Sequence, residues 1–181
     1  MESNSKNEFY SWVKSILFTL AVVIICRHFI FSPITVQGDS MLPTFEDNDR
    51  LIISKMSSIE RFDIIVFKAP NINKQYIKRV IGIPGDNIHM KDDILYINGK
   101  ANEESYVNEN IDTTLYNQMT GDFNLEDYTS EKTVPEGHYF VLGDNRWESG
   151  DSREFGFISA NSIIGEAQFR FFPIQDIGIT K

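Results

Sequence analysis

The chain is 181 residues long, with 17 basic and 26 acidic side chains, a net charge of −9, 41% hydrophobic residues and a single cysteine. That length suits one domain of ordinary core size plus an appendage, and the acidic balance excludes nucleic-acid binding, because phosphate contacts need clustered Lys and Arg. Cys26 has no partner for an internal disulfide, and the histidines His28, His89 and His138 form no metal-ligand spacing, so structural zinc is excluded too.

From Phe9 to Cys26 the only charge is Lys14, and ILFTLAVVIIC at 16–26 is apolar apart from Thr19. At about 1.5 Å per residue a helix over this segment reaches roughly 27 Å, close to the ~30 Å hydrocarbon core of a bilayer. Lys14 lies near one end, where its stem snorkels to the headgroups, and Tyr10 and Trp12 suit the interfacial belt. A cleavable leader and a buried core helix compete with this reading. Against the leader, RHFIF at 27–31 stands where a small-residue cut site belongs. The expected organisation is a short tail over 1–8, a retained anchor and exit segment over 9–31, and a domain over 32–181. Lys6 and Lys14 against Arg27 place the amino terminus in the cytoplasm and the domain outside it, as a single-pass protein of the cell membrane.

Beyond the anchor, PITVQG at 33–38, RLIIS at 50–54, DIIVFK at 63–68, QYIKRVIGI at 75–83, ILYIN at 94–98, HYFVLG at 138–143 and the segment 163–172 are short and rich in β-branched and aromatic residues. Turn chemistry separates them, including ProGlyAsp at 84–86, AsnGly at 98–99 and ProGluGly at 135–137. The predicted fold is therefore mainly β, an antiparallel sheet or barrel-like domain behind one amino-terminal transmembrane helix. KDDILYINGK at 91–100 reads as one hairpin arm with its AsnGly turn. A peripheral insertion is expected over about 87–133, and its polar stretch from 101 is expected to carry no chemistry.

Three segments hold candidate chemistry. Ser40 sits in GDSMLP at 38–43, after an apolar strand and before a proline turn, where a hydroxyl projects from a rigid edge. A nucleophilic serine needs a base. His28 lies at the anchor's edge, and His89 and His138 read as exposed or satisfied histidines. Lysine is the alternative base. Strand alternation gives Lys78 the same face as Tyr76 and Val80 and sends Arg79 the other way with Ile77 and Ile81. Apolar neighbours would withhold water from the ammonium, whose pKa of about 10.4 must fall by roughly three for the neutral amine to be common at pH 7. GDNRWESGDSREFG at 143–156 packs charges and serines around glycines and suits a clamp on a nearby amine. Taken alone, each segment reads more simply: a turn serine, an edge-strand lysine and a solvated loop.

Together, in order and behind an anchor, GDSMLPT at 38–44, RFDIIVF at 61–67, KRVIGIPGD at 78–86 and GDNRWESGDSREFG at 143–156 resemble the bacterial type I signal peptidases in their compact Gram-positive form. The resemblance runs from about residue 10 to 165. It implies a hydrolase that removes signal peptides from exported precursor proteins, cleaving after small residues at the bilayer, with no cofactor, metal or nucleic acid. By resemblance Ser40 is the nucleophile, Lys78 the general base, Ser149 the hydroxyl that orients the amine, and Asp151 with Arg153 the supporting ion pair. The small-side-chain pockets correspond to Ile34, Val36, Met41, Val66, Tyr76 and Ile77. Phe62 replaces the commoner glycine of RGD, and Trp147 and Glu148 replace a polar residue and an asparagine. Gly38 stands where some relatives carry a serine that donates to the oxyanion. A self-cleaving repressor-type serine/lysine protease would need a DNA-binding domain in place of 9–26. A silent relative acting as a binding protein would be expected to lack Ser40 or Lys78, and a surface adhesin leaves the four segments a coincidence.

Overall fold

The computed structural model describes residues 2–70, 72–107 and 118–180, without side-chain detail for 2–7, 26 and 28. The stretch 108–117 of the expected insertion, and the side chains of Cys26 and His28, lie outside the described residues. Helix α1 spans Glu2–Phe29, starting before and ending after the predicted apolar segment. Its eighteen-residue window Glu8–Ile25 is apolar enough to cross a membrane, and none of it is buried against the rest of the chain. Phe9, Trp12, Leu17, Phe18, Val23 and Ile25 are exposed all round it, so its apolar side chains form no single stripe packed on the other described residues.

The described residues then form β1 (Phe31–Thr35), β2 (Arg50–Ser54), β3 (Ile64–Lys68), β4 (Gln75–Gly82), β5 (Ile88–Lys91), β6 (Ile94–Ile97), β7 (Lys100–Asn102) and β8 (Phe123–Asn124). Helix α2 (Leu125–Thr129), β9 (His138–Leu142), α3 (Ser152–Phe155), β10 (Ile158–Ser159), β11 (Ile163–Phe172) and β12 (Gly178–Ile179) follow. The larger sheet has the order β1-β2-β11-β3-β4-β9-β10, with β12 on β11, and the smaller has the order β7-β6-β5-β8. Every pairing is antiparallel.

Two predicted boundaries shift for identifiable reasons. The first strand begins at Phe31, immediately after the helix, and stops before Gly38, whose left-handed backbone (φ +78°) turns the chain away. The predicted hairpin arm over 91–100 divides into β6 with a tight turn at each end. Asn98 and Gly99 (φ 52° and 75°) make one, and Asp92 and Asp93 (φ 51° and 61°) make the other. Both central residues of each turn are left-handed, as the twist of a two-residue hairpin requires. AspAsp is a much weaker signal for that geometry than AsnGly.

The pleat of β4 sends alternate side chains into different cores. Tyr76 and Val80 pack with Ile65, Phe67, Val141 and Ile158, whereas Ile77 packs with Val36, Met41, Ile64 and Val66. The smaller sheet lays Ile88, Met90, Leu95 and Ile97 against Ile81, Phe140 and Leu142. At the far end of the larger sheet the register lines up Phe31 with Ser54, and Phe169 with both Ile52 and Ile179. Phe31, Phe169, Phe172 and Ile179 are exposed there.

Arg79 ties these parts together from inside the protein, where it is 1% exposed. Its Nε and Nη2 donate to the two carboxylate oxygens of Asp144 at 2.9 and 2.7 Å, and its Nη1 donates to the Phe62 carbonyl at 3.0 Å. The guanidinium lies 4.0 Å from the centre of the Tyr106 ring, and Asp144 also accepts from Thr44 Oγ1. This explains how Phe62 holds a left-handed conformation (φ 74°): its carbonyl is held by Arg79, its N–H donates to the Val80 carbonyl at 2.7 Å, and its ring packs beside Tyr106. Arg79→Met would leave the Asp144 carboxylate buried without its cation. The variant is expected to lose about 3–5 kcal/mol of stability by urea denaturation, and adding Asp144→Leu should recover part of that loss.

Candidate active site

The turn after β1 sets the position of Ser40. Gly38 donates its N–H to Asp47 Oδ1 at 2.8 Å, and the chain then folds back, with Leu42 N–H on the Asp39 carbonyl (3.1 Å) and Phe45 N–H on the Met41 carbonyl (2.9 Å). Met41 and Phe45 are buried in the core beside Leu51. Ser40 is thus held between a residue anchored in the interior and the exposed Asp39.

Lys78 arrives from β4. Its side chain is almost fully enclosed, with the residue 3% exposed. Its Nζ lies 2.6 Å from Ser40 Oγ and 5.3 Å from the centre of the Tyr76 ring. Burial lowers the pKa of the amine to about 8 against the upward pull of the Asp151, Asp144 and Glu154 carboxylates. The requirement stated from sequence was a somewhat larger fall. At pH 7 the neutral amine is therefore a minor species, but an accessible one.

The loop after β9 clamps this pair. Asn145 donates its backbone N–H to the Ser40 carbonyl and its Nδ2 to the Asp39 carbonyl, both at 3.1 Å. Asp151 accepts from Gly143 N–H at 3.0 Å and from Arg153 Nε and Nη2 at 2.9 and 2.8 Å. Arg153 Nη2 continues to the Arg146 carbonyl at 2.5 Å, and Arg146 Nε returns to the Gly143 carbonyl at 2.9 Å. Gly143 is required by space, since a Cβ there would collide with Ser149 Oγ and with the Ser40 carbonyl oxygen. Among the described residues Ser149 Oγ, which is buried, has no hydrogen-bond partner. Such a hydroxyl costs stability, and that marks it as a candidate for a role in chemistry.

A cleft of about 700 Å³ opens onto the Ser40–Lys78 pair. Of the predicted pocket residues, Ile34, Val36, Val66, Tyr76 and Ile77 line it; Met41 lies behind its wall, fully buried in the core. Two sheet edges face it. β1 is the end strand of its sheet, and Gln75–Lys78 pair on one side with β3 while β9 joins β4 only from Arg79 onward. His89 is stacked on Tyr96 with ring centres 4.7 Å apart. His138 has Nδ1 3.0 Å from the Glu136 carbonyl, and neither histidine lines the cleft.

Sequence reasoning did not single out Asn145, Asp39 or the Arg146–Glu104 pair. Glu104 meets Arg146 through Nη2 at 2.5 Å, and Tyr106 meets Arg79, so residues 104–106 of the expected insertion support the polar network behind the site. Asn145 lay inside a quoted segment. Nothing in its spacing indicated that it would reach a turn 106 residues earlier in the chain. Trp147 and Glu148, the departures noted in that loop, separate in space: Trp147 Nε1 donates to the Gln118 carbonyl at 3.1 Å, and Glu148 lines the cleft.

Comparison with known proteins supplies the family. The family model described as signal peptidase, peptidase S26, matches residues 9–172. The chain is 49% identical over 160 residues to signal peptidase I of Bacillus caldolyticus, covering 86% of this chain and 87% of that protein. It is 39% identical over 179 residues to signal peptidase IB of Staphylococcus aureus, covering 94% and 93%. Among solved structures, a signal peptidase I from Enterococcus faecalis V583 superposes with a TM-score of 0.53 at 44% identity, over 61% of this chain and 97% of that one. A match along nearly the whole length, the antiparallel β architecture and the amino-terminal apolar helix lead to one assignment: this chain belongs to the signal peptidase family, peptidase S26.

Proposed function

We propose that the chain is a membrane-tethered serine endopeptidase that removes signal peptides from exported precursors by an acyl-enzyme route through Ser40 and Lys78. The observation that carries this reading is the 2.6 Å approach of Lys78 Nζ to Ser40 Oγ, with the lysine buried and its pKa lowered. In the neutral state the amine accepts the Ser40 proton as Oγ attacks the scissile carbonyl. It then passes that proton to the leaving amine, and water entering the vacated space releases the acyl group by the same base.

The oxyanion is left to the Ser40 backbone N–H, because Gly38 contributes no side-chain donor. The unpartnered Ser149 hydroxyl is the group that steadies the amine when it changes protonation. Asp151 and Arg153 hold the loop that carries this hydroxyl. An extended precursor segment adds as a strand to the edges of β1 and of Gln75–Lys78, so that main-chain hydrogen bonds supply binding. Ile34, Val36, Val66 and Ile77 narrow the pockets to small side chains. Helix α1 crosses the bilayer with its amino terminus in the cytoplasm. The exposed face of Phe31, Phe169, Phe172 and Ile179 begins two residues after that helix ends, which suits a domain seated at the membrane surface.

Two experiments test this reading. The detergent-solubilised chain, given a precursor with Ala-X-Ala before its cleavage site, is expected to cleave it. Ser40→Ala and Lys78→Ala should each reduce kcat/KM at least about a thousandfold with folding intact, and near-normal cleavage by either variant would remove that side chain from the mechanism. For the wild type, kcat/KM should rise about tenfold per pH unit below pH 7 and level off above about 8, where the amine is neutral.

The same lowered pKa has a consequence for folding. An unfolded lysine holds its proton up to about 10.5, so the buried charge lowers stability most fully below pH 8, and the penalty disappears as pH rises from 8 past 10.5. Lys78→Met, which removes the charge and keeps the bulk, is expected to be more stable than the wild type by ~3 kcal/mol at pH 7. Denaturant unfolding should show that difference shrinking toward pH 10.

A further inference from the structure

We propose that Glu148, with Asp39 beside it, selects precursors that carry a basic side chain immediately after the scissile bond; this rests on the peptidase reading of the same cleft. The direction of the bound chain follows from the pockets: Ile34 and Val36 precede Ser40, and Val66 pairs with Ile77 just before Lys78. The small residues ahead of the scissile bond therefore lie along Gln75–Ile77, and the segment after it passes beyond Ser40. β9 runs antiparallel to β4 and makes its last pairing at Leu142, opposite Arg79. The position beside Gln75–Lys78 that a longer β9 would fill is the one the cleft occupies. A peptide laid there runs along Gln75–Ile77 and reaches Ser40 and Lys78. Directly beyond stands the 143–150 loop, with Gly143 packed against both the Ser40 carbonyl and Ser149. The chain cannot continue straight, so the part after the scissile bond leaves over the exposed side of that loop.

The side chains it meets there are acidic. Glu148 and Asp39 are both exposed and both line the cleft. Asn145 places Glu148 next to the Asp39 backbone, with Nδ2 3.1 Å from the Asp39 main-chain carbonyl and 3.5 Å from Glu148 Oε2. Among the described residues neither carboxylate has a Lys or Arg ion-pair partner. Lys74, the other cation lining the cleft besides Lys78, lies four residues back along the β4 edge, about 13 Å away at ~3.3 Å per residue. The cleft is thus negative at the end where the leaving segment departs. A Lys or Arg there gains an unshared carboxylate, and an Asp or Glu meets repulsion.

The test uses the full-length chain in detergent at low salt and three internally quenched peptides. All carry Ala-X-Ala before the scissile bond and differ only in the residue after it, Lys, Gln or Glu. The wild type is expected to cleave the Lys peptide about fivefold better in kcat/KM than the Glu peptide, with the ratio shrinking as salt is raised. E148Q should lower the ratio at least twofold, E148K should reverse it, and D39N should lower it less than E148Q. A Lys-to-Glu ratio that is the same in the wild type, E148Q and E148K would overturn the assignment while leaving the peptidase reading intact. No cleavage of any peptide by the wild type would overturn both.

Discussion

The burial of the Lys78 amine against Ser40 is the constraint about which the elements around β4 are arranged. Desolvation is the largest influence on Lys78, yet three carboxylates, those of Asp151, Asp144 and Glu154, favour the ammonium. The two with the larger effect already have an arginine: Asp151 is paired with Arg153 and Asp144 with Arg79. A cation beside each of these carboxylates opposes its pull on the amine. The ion pairs therefore have two effects, holding the loop after β9 in place and limiting how far its charges stabilise the protonated lysine.

This arrangement explains why several local features are unfavourable when considered singly. A buried lysine, an unpartnered serine hydroxyl, a phenylalanine in a left-handed turn and a glycine pressed against a serine carbonyl each cost stability. All four lie around β4 and the segments that meet it. The interior compensates with three apolar clusters and the chelated Arg79, which joins the 62–63 turn, β4 and the end of β9. Stability is surrendered at the site and recovered in the strands that position it, the usual division where a side chain must be held in an unfavourable state.

Much of the fold was legible because strands of this kind carry a strong local signal. β2, β3, β4, β9 and β11 coincide with runs of β-branched and aromatic residues, and the apolar helix declared itself by length and lack of charge. The short strands β5, β7, β8, β10 and β12 did not, since two to four residues hold too little pattern to identify, and the AspAsp turn hid the pairing of β5 with β6. Alternation along β4 correctly separated Lys78 from Arg79, because the pleat is a property of the backbone itself. Met41, which the family resemblance assigned to a pocket, is turned inward onto Phe45 and Leu51.

By itself the amino-acid sequence determined the amino-terminal apolar helix, the predominance of antiparallel strands, and the four ordered segments in which Ser40, Lys78, Ser149, Asp151 and Arg153 stand. These rest on composition, on a two-residue period, and on motifs contiguous in the chain. Only the tertiary structure decided that Ser40 and Lys78 meet at 2.6 Å, that Asn145 clamps the Ser40 turn, and that Glu148 faces the cleft while Trp147 turns away. Such contacts join residues tens to more than a hundred positions apart. Their distances depend on how sheets twist, where β9 ends and which side chains fill the space between, and no local pattern of residues encodes that packing.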